Sequence, residues 1–283
     1  MMYNFNNVID ARGSQVGMLQ RIYGQNNYLL WEKTTPEPPD PSEYESQYLT
    51  FEIVTSGYIT LYSYRETYHE YNADKTIQYS INNSSWISKT SKRSDGTSVD
   101  TNDIIVNAGD KVRFKGSNSE YWGFHFHSGV GASWKVYGNI MSLIYGDDFV
   151  GKNKLTEVYA FREVFNEGLS DAPHPLLNCE NLVLPALVLA RGCYNSMFEG
   201  CVNITKAPIL PARTIYMGTY ANMFARCSNL SYIKCLANNF AETLTMSNWV
   251  NGVASTGTFI KAAGATWSTG TSGIPTGWTV QNV

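Results

Sequence analysis

The sequence predicts a mostly β chain: a small N-terminal β module, an antiparallel β-sandwich, and a short solenoid of stacked repeats closed by a C-terminal cap. Three observations carry this expectation. Apolar residues alternate with polar ones at the strand period through residues 48–128. Two segments 26 residues apart, beginning at Tyr194 and Tyr220, repeat one pattern of letters. Tyr is nearly as abundant as Lys plus Arg, 19 against 21, and its amphipathic ring suits pleated surfaces better than helical bundles. The expected divisions are a hairpin module over 1–33, a linker over 34–47, the sandwich over 48–137, the repeats over 138–237 and the cap over 238–283.

In the first division, "VGMLQRIYG" and "YLLWEK" are apolar-rich runs joined by Gly24-Gln25-Asn26-Asn27, a hairpin signature. A lone hairpin is marginal in water. Its apolar residues Ile22, Leu29, Leu30 and Trp31 are therefore the candidate docking residues, awaiting another chain or a fold-back onto the sandwich. The stretch "TTPEPPDPSEYESQ" has four Pro, four carboxylates and no periodicity, which predicts an extended, non-helical tether.

Strand patterns follow. Leu49, Phe51 and Ile53 share one side of "YLTFEIV", Ile59 and Leu61 one side of "YITLYSY", and Ile77, Tyr79 and Ile81 one side of "TIQYSI". "DIIVNAGDKVRFKG" reads as strand, turn and strand. In "WGFHFHSG", Trp122, Phe124 and Phe126 alternate against His125 and His127. Short strands with Gly, Asn or Asp between them indicate a sandwich. Residues 129–160 read as a junction, in which "NIMSLIY" suits a buried strand or a short helix equally.

In the repeats, Tyr194, Met197, Phe198, Cys201, Asn203, Ile204 and Leu210 each match a residue 26 positions on: Tyr220, Met223, Phe224, Cys227, Asn229, Leu230 and Leu236. A degraded copy precedes them, with "FREVF" ending at Phe165 and "CENLVLPA" beginning at Cys179. Cys-x-Asn-[Leu/Ile] thus occurs at 179, 201 and 227. Such periodicity is a solenoid signature, in which equivalent residues of stacked copies form ladders. The expected ladders are Phe165, Phe198 and Phe224; Cys179, Cys201 and Cys227; and Asn181, Asn203 and Asn229 at the bends. The five Cys lack metal-type spacing and read as buried thiols, with a Cys201–Cys227 disulfide across one rung as the alternative.

"CYNSMFEGCVNITKAPILPARTI" resembles the BspA-like leucine-rich repeats of gut Bacteroidetes surface proteins. The tail "WVNGVASTGTFIKAAGATWSTGTSGIPTGWTV" is similar to the cap that follows such repeats, and the domain holding "VNAGDKVRFKG" to the β domain that precedes them. The resemblance covers residues 48–283 and implies binding of protein or glycan without chemistry. At the front, "RIYGQNNYLLWEK" resembles strand-rich N-terminal modules of tailed-phage virion proteins.

No catalytic constellation is apparent. His125 and His127 share a strand face without a third metal ligand, and a solvated face is the expected reading. Asp147-Asp148 reads as a turn, His174 as part of a Pro-flanked loop, and no Ser lies in a GxSxG elbow. The net charge of −3 without basic runs argues against nucleic acid as a partner. No basic segment with an apolar core opens the chain, and no run of about 18 apolar residues occurs. The expectation is a soluble protein, not inserted in a membrane, that assembles where it is made.

Together these readings predict a non-enzymatic virion protein without catalytic, cofactor or metal residues. It would contact other virion or surface proteins through the N-terminal module and a host-surface protein or glycan through the rest. The alternatives are a bacterial cell-surface adhesin and an accessory module of a glycan-processing system. Homo-oligomerisation is left open.

Overall fold

The structure, a computed structural model, describes the backbone at residues 2–9, 15–23, 29–36, 41–42 and 92–93. It describes backbone and side chains at 43–63, 75–91, 103–128, 131–166, 174–240 and 246–283. The chain is mostly β and divides into two compact units, Met1–Glu43 and Tyr44–Val283.

The first unit is a three-stranded antiparallel sheet in the order β1 (Met2–Ile9), β2 (Gln15–Tyr23), β3 (Leu29–Pro36). The expected hairpin corresponds to β2 and β3; β1, from the Asn-interrupted "MYNFNNVI", adds a third strand. Thr34, Thr35 and Pro36 pair with Leu19, Met18 and Gly17, so these three residues of the expected tether belong to β3. A proline is accommodated there because β3 is an edge strand and Pro36 its last residue. Residues 37–40 of the tether lie outside the described residues. Pro41–Tyr44 forms a turn of 3-10 helix rather than extended chain, with proline at the first position, where its missing N–H costs nothing.

The second unit opens with β4 (Leu49–Thr55), β5 (Gly57–Ser63), β6 (Thr76–Ile81), β7 (Ile87–Thr90), β8 (Lys92–Arg93), β9 (Ile104–Val106), β10 (Lys111–Gly116), β11 (Phe124–Ser128) and β12 (Ser133–Asn139). A short helix, α1 (Ser142–Tyr145), settles the ambiguous "NIMSLIY". There follow β13 (Lys154–Leu155), β14 (Leu176–Val183), β15 (Val188–Leu189), β16 (Thr214–Ile215), β17 (Tyr232–Cys235), β18 (Asn239–Phe240), β19 (Thr258–Lys261) and β20 (Thr279–Asn282).

Six strands form one sheet in the order β14-β12-β4-β10-β6-β7; β11, β5, β8 and β9 form another. The alternation seen in the sequence puts Leu49, Phe51, Ile53, Val112, Phe114, Trp134 and Val136 in the core, while Glu52, Lys111 and Lys135 stay on the outer face. The two sheets meet through aromatic rings, Phe126 of β11 lying 4.8 Å from Phe51 and 4.9 Å from Phe114. Trp122 precedes β11 and is only partly buried; its neighbour Tyr121 is the buried one, its hydroxyl donating to Leu143 O at 2.6 Å. Pairing is antiparallel except for β5–β8 and β12–β14.

Beyond α1 the chain runs in stacked copies. Phe165, Phe198 and Phe224 follow one another at 5.4 and 5.5 Å with ring planes 13° and 7° apart. Phe161, Tyr194, Tyr220 and Trp249 form a second column at 6.1, 6.0 and 6.4 Å. The turns that carry these rings place Phe161, Tyr194 and Tyr220 at φ 58°, 61° and 61°, and Glu163, Ser196 and Asn222 at 66°, 52° and 53°. A left-handed backbone is costly for side chains other than glycine. It is offset by amides that bond the next copy: Glu163 to Asn195 O at 3.0 Å, Ser196 to Ala221 O at 2.8 Å and Asn222 to Ser247 O at 2.9 Å. The rings alongside are fully buried.

The copies also align strands in parallel, Lys206 bridging Tyr232, β17 pairing with β19 and β19 with β20. The parallel stack therefore continues through the expected cap. The boundary expected after residue 137 is not a break in packing. The strand of the degraded copy, β14, pairs with β12, and Phe165 stacks on Phe126 at 6.0 Å. Core residues from Leu49 to Trp278 form one continuous cluster. A crossover strand is cheaper to bury in an existing sheet than alone, because its backbone groups find partners there.

Candidate functional site

A groove of about 450 Å³ lies on the outer face of the six-stranded sheet. Its floor follows from register. Lys111 of β10 and Lys135 of β12 both pair with Glu52 of β4, and Lys135 also pairs with Asn178 of β14. The result is a cross-strand row Lys111–Glu52–Lys135–Asn178. The next row holds Arg113, Thr50, Tyr137 and Asn181.

The groove's wall is the segment Tyr44–Gln47, held against the end of β12. Asn139 N donates to Gln47 O at 2.8 Å and Asn139 Nδ2 to Glu45 O at 3.0 Å. Gly138, at φ 85°, makes this approach feasible, since a Cβ there would collide with the Tyr48 carbonyl. The approach sets Tyr44 edge-on to Tyr137, ring centroids 5.4 Å apart at 60°. Asn181 Nδ2 reaches the Tyr44 hydroxyl at 3.5 Å.

The polar groups are fixed in pairs. Asn178 Oδ1 accepts from Glu180 N at 2.9 Å, while Asn178 Nδ2 donates to Glu180 Oε1 at 3.3 Å. Lys206 lies 3.0 Å from Glu180 and Lys135 3.7 Å from Glu52. Burial, then the Glu52 charge and Tyr44, push the Tyr137 phenol above its ordinary pKa, so it remains a neutral hydrogen-bonding group. Two carboxylates and two ammonium groups line the groove, leaving no net charge.

A second cluster on the same face anchors the wall from behind. Trp86 lies under Arg113 at 5.1 Å and under Lys115 at 4.5 Å. Lys115 and the Tyr48 hydroxyl both bond Asp147, at 2.8 and 2.7 Å. Lys115 first, then Tyr48, hold the Asp147 carboxyl below its usual range, so Asp147 is an anchor for the segment that carries Tyr44.

Of the residues singled out from sequence, Phe165, Phe198 and Phe224 lie in one column of rings. Cys201 and Cys227 are equivalent: each thiol donates to the carbonyl of the Phe one copy back, Phe165 at 3.1 Å and Phe198 at 3.0 Å. Cys179 is not on that ladder. It sits in β14 and faces Lys206 O at 3.6 Å, because the long insertion after Phe165 sends this copy's strand onto β12. All five thiols are free and buried. The three asparagines do not share a role: Asn181 meets Tyr44, Asn203 donates to His174 O at 2.8 Å, and Asn229 is exposed. His125 is buried at 5% exposure and stacks on Tyr62 at 5.5 Å, rather than lying on a solvated face. Burial foremost, with the charge of His127, depresses its pKa to about 3. Ile22 pairs with Trp31 and Tyr23 with Leu29, Leu30 falling at the register shift; these docking side chains lie outside the described residues. Among the described residues, no three His, Cys, Asp or Glu side chains gather as a metal site.

The groove itself was not foreseen. Its one sequence signal is the polar half of the strand alternation, Glu52, Lys111, Lys135 and Tyr137, which becomes a site only once register sets it in rows. No family model, curated protein or solved structure matches the chain.

Proposed function

We propose that the protein is a non-enzymatic attachment protein of a phage virion, an appendage or fibre component that holds a bacterial surface in the groove beside Tyr44 and Tyr137. In this reading the two facing sheets are a β-sandwich and the stacked copies a short leucine-rich-repeat solenoid with a C-terminal cap. Ile22, Leu29, Leu30 and Trp31 of the N-terminal sheet dock it to other virion proteins. The observation that carries the reading is the groove. Rigid strands fix its rings, amides and paired charges in place, and such preorganisation supports recognition of an external ligand. The in-register Phe and Tyr columns support the solenoid assignment.

The test is binding of the full-length protein to intact cells of gut Bacteroidetes, read by flow cytometry. Tyr137→Ala is expected to lower cell binding tenfold or more with folding intact. Undiminished binding would place the contact elsewhere. Immuno-electron microscopy should find the protein on virions. Labelling of the cell envelope alone would replace the virion assignment with that of a surface adhesin.

A further inference from the structure

Resting on the reading of the groove as an attachment site, we infer that its ligand is a neutral glycan chain, lying across the strands from Tyr137 toward Tyr232. The floor is the face of a sheet in which β4 and β12 are paired on both sides, while β14 is the edge strand and sets Glu180 against Lys206 beyond it. An extended peptide added as a strand needs free backbone N–H and C=O groups, and the face over β4 and β12, where Tyr137 stands, offers none. Recognition here is by side chains alone.

Those side chains select by charge. Glu52 and Glu180 repel a polyanion such as an acidic polysaccharide or a nucleic acid, and Lys111 and Lys135 repel a polycation. A neutral ligand rich in hydroxyls suits all of them. Carboxylates and amide oxygens accept from hydroxyls, ammonium and amide N–H groups donate to them, and the faces of Tyr44 and Tyr137 cover the apolar side of a sugar ring.

The direction comes from the row beyond the groove. Glu180 holds Lys206 through an ion pair, the Lys206 backbone bridges Tyr232 of β17, and Tyr232 pairs with Thr258 of β19. Tyr232 is only partly buried, while its neighbour Ile233 is wholly buried, so the Tyr232 ring belongs to the outer face. Paired strands lie about 4.8 Å apart, so the step from Tyr137 to Asn181 and the two from Lys206 to Thr258 each advance the line by about that much, with one sugar residue roughly to each step. Tyr137 and Tyr232 stand as two ring platforms on that line.

The experiment uses calorimetry with the full-length protein and neutral gluco- and manno-oligosaccharides of two and six residues. Heparin and polygalacturonate serve as polyanion probes. A neutral hexaose is expected to bind at least tenfold more tightly than its disaccharide, with the same affinity at low and high salt. Tyr137→Ala should abolish binding of both lengths. Tyr232→Ala should leave the disaccharide unchanged and remove the gain from length. Absence of binding by every neutral sugar, or salt-sensitive binding of a polyanion, overturns the inference. Treating the cells with periodate, which cleaves vicinal diols, should abolish cell binding, whereas protease should not. If protease abolishes it and Tyr137→Ala still weakens it, the groove remains the attachment site but its ligand is a protein, and only the glycan assignment falls.

Discussion

Between the two sheets, Phe51 meets Phe114 at 4.9 Å and Phe126 at 4.8 Å, both with ring planes 63° apart. Along the stacked copies, Phe165, Phe198 and Phe224 succeed one another at nearly the same distances with planes only 13° and 7° apart. The chemistry is the same and the symmetry differs. In the sheets, neighbouring rings come from strands of opposite direction and from facing layers, so each pair finds its own fit, edge-to-face for Phe51 with Phe114 and stacked at 20° for Phe51 with Trp134. In the copies, equivalent residues are related by translation, so each ring can only lie parallel to the one before. A sheet residue is thus optimised singly, whereas a column residue is constrained by both neighbours at once. The two regimes join where Phe165 lies on Phe126 with planes 18° apart.

The regions should also fail at opposite ends of the pH scale, and the alkaline end gives the largest effect. Burial raises the thiols of the copies, Cys193 and Cys235 to about 12 and Cys179 and Cys227 likewise upward. An unfolded thiol ionises near about 8.5, so between there and about 12 the folded state binds more protons than the unfolded one. This stability is complete below about pH 8.5 and is lost as pH rises, at about 1.4 kcal/mol per unit for each thiol. The four together would cancel a net stability of roughly 5–15 kcal/mol within a few pH units. Thermal melts should therefore hold steady from pH 7 to 8 and collapse above 9, less steeply in a Cys193→Ala/Cys235→Ala variant. A melt unchanged at pH 10 would break this account.

Next in size are the rings. Phe51→Ala and Phe198→Ala should each cost about 3–5 kcal/mol, with Phe51 at the upper end because it touches Phe114, Phe126, Trp134 and Phe165. Because the core is continuous, each variant should unfold Tyr44–Val283 in one denaturant transition, seen alike from Trp134 in the sheets and Trp249 in the copies. Two separated midpoints would show that the contrast extends to independent folding.

On the acid side the sheets are the weaker partner. His125 is neutral when folded, with a pKa of about 3, and binds a proton near about 6.5 when unfolded. Its contribution is complete above about pH 6.5 and falls by up to about 1.4 kcal/mol per unit as pH drops toward 3. His125→Phe should flatten urea midpoints measured from pH 6.5 to 4. An unchanged slope would assign the acid loss to other groups. The smallest expected effect is at the thiol bonds. Cys227→Ala, which loses a 3.0 Å contact to Phe198 O, should cost about 1 kcal/mol. Cys179→Ala, whose sulfur is 3.6 Å from its acceptor, should lose less of that bond, as comparison of the two midpoints would show.

The columns were legible because translation writes the same letter at the same interval. Tyr194 and Tyr220, and Phe198 and Phe224, announce themselves. Trp249 does not, because it stands 26 residues after Met223, in a different column of letters, yet its ring reaches both Tyr220 and Phe224. Cys179 misled for the converse reason: its letters match, but its backbone is spent on pairing β14 with β12. The groove was illegible since Tyr44 and Asn181 are 137 residues apart, and nothing local marks a cross-strand row. The third N-terminal strand escaped because the apolar letters of "MYNFNNVI" fall at both odd and even positions, Tyr3, Phe5 and Ile9 against Met2 and Val8, which blurs the period of two.

Trp249 has a consequence for how such a chain could grow. One indole receives two columns together, its Nε1 donating to Gly273 O at 2.8 Å and its ring stacking on Trp267 at 5.9 Å, so a unit spliced in after it would begin on one ring where the unit before it ended on two. Upstream, a copy begins and ends on the same pair of rings, and a duplicated 26-residue unit would find its own surface on either side. Each duplication would lengthen the outer row by about 4.8 Å. The reach of the protein is thus a number that recombination can change, while the tryptophan marks where two ring columns become one.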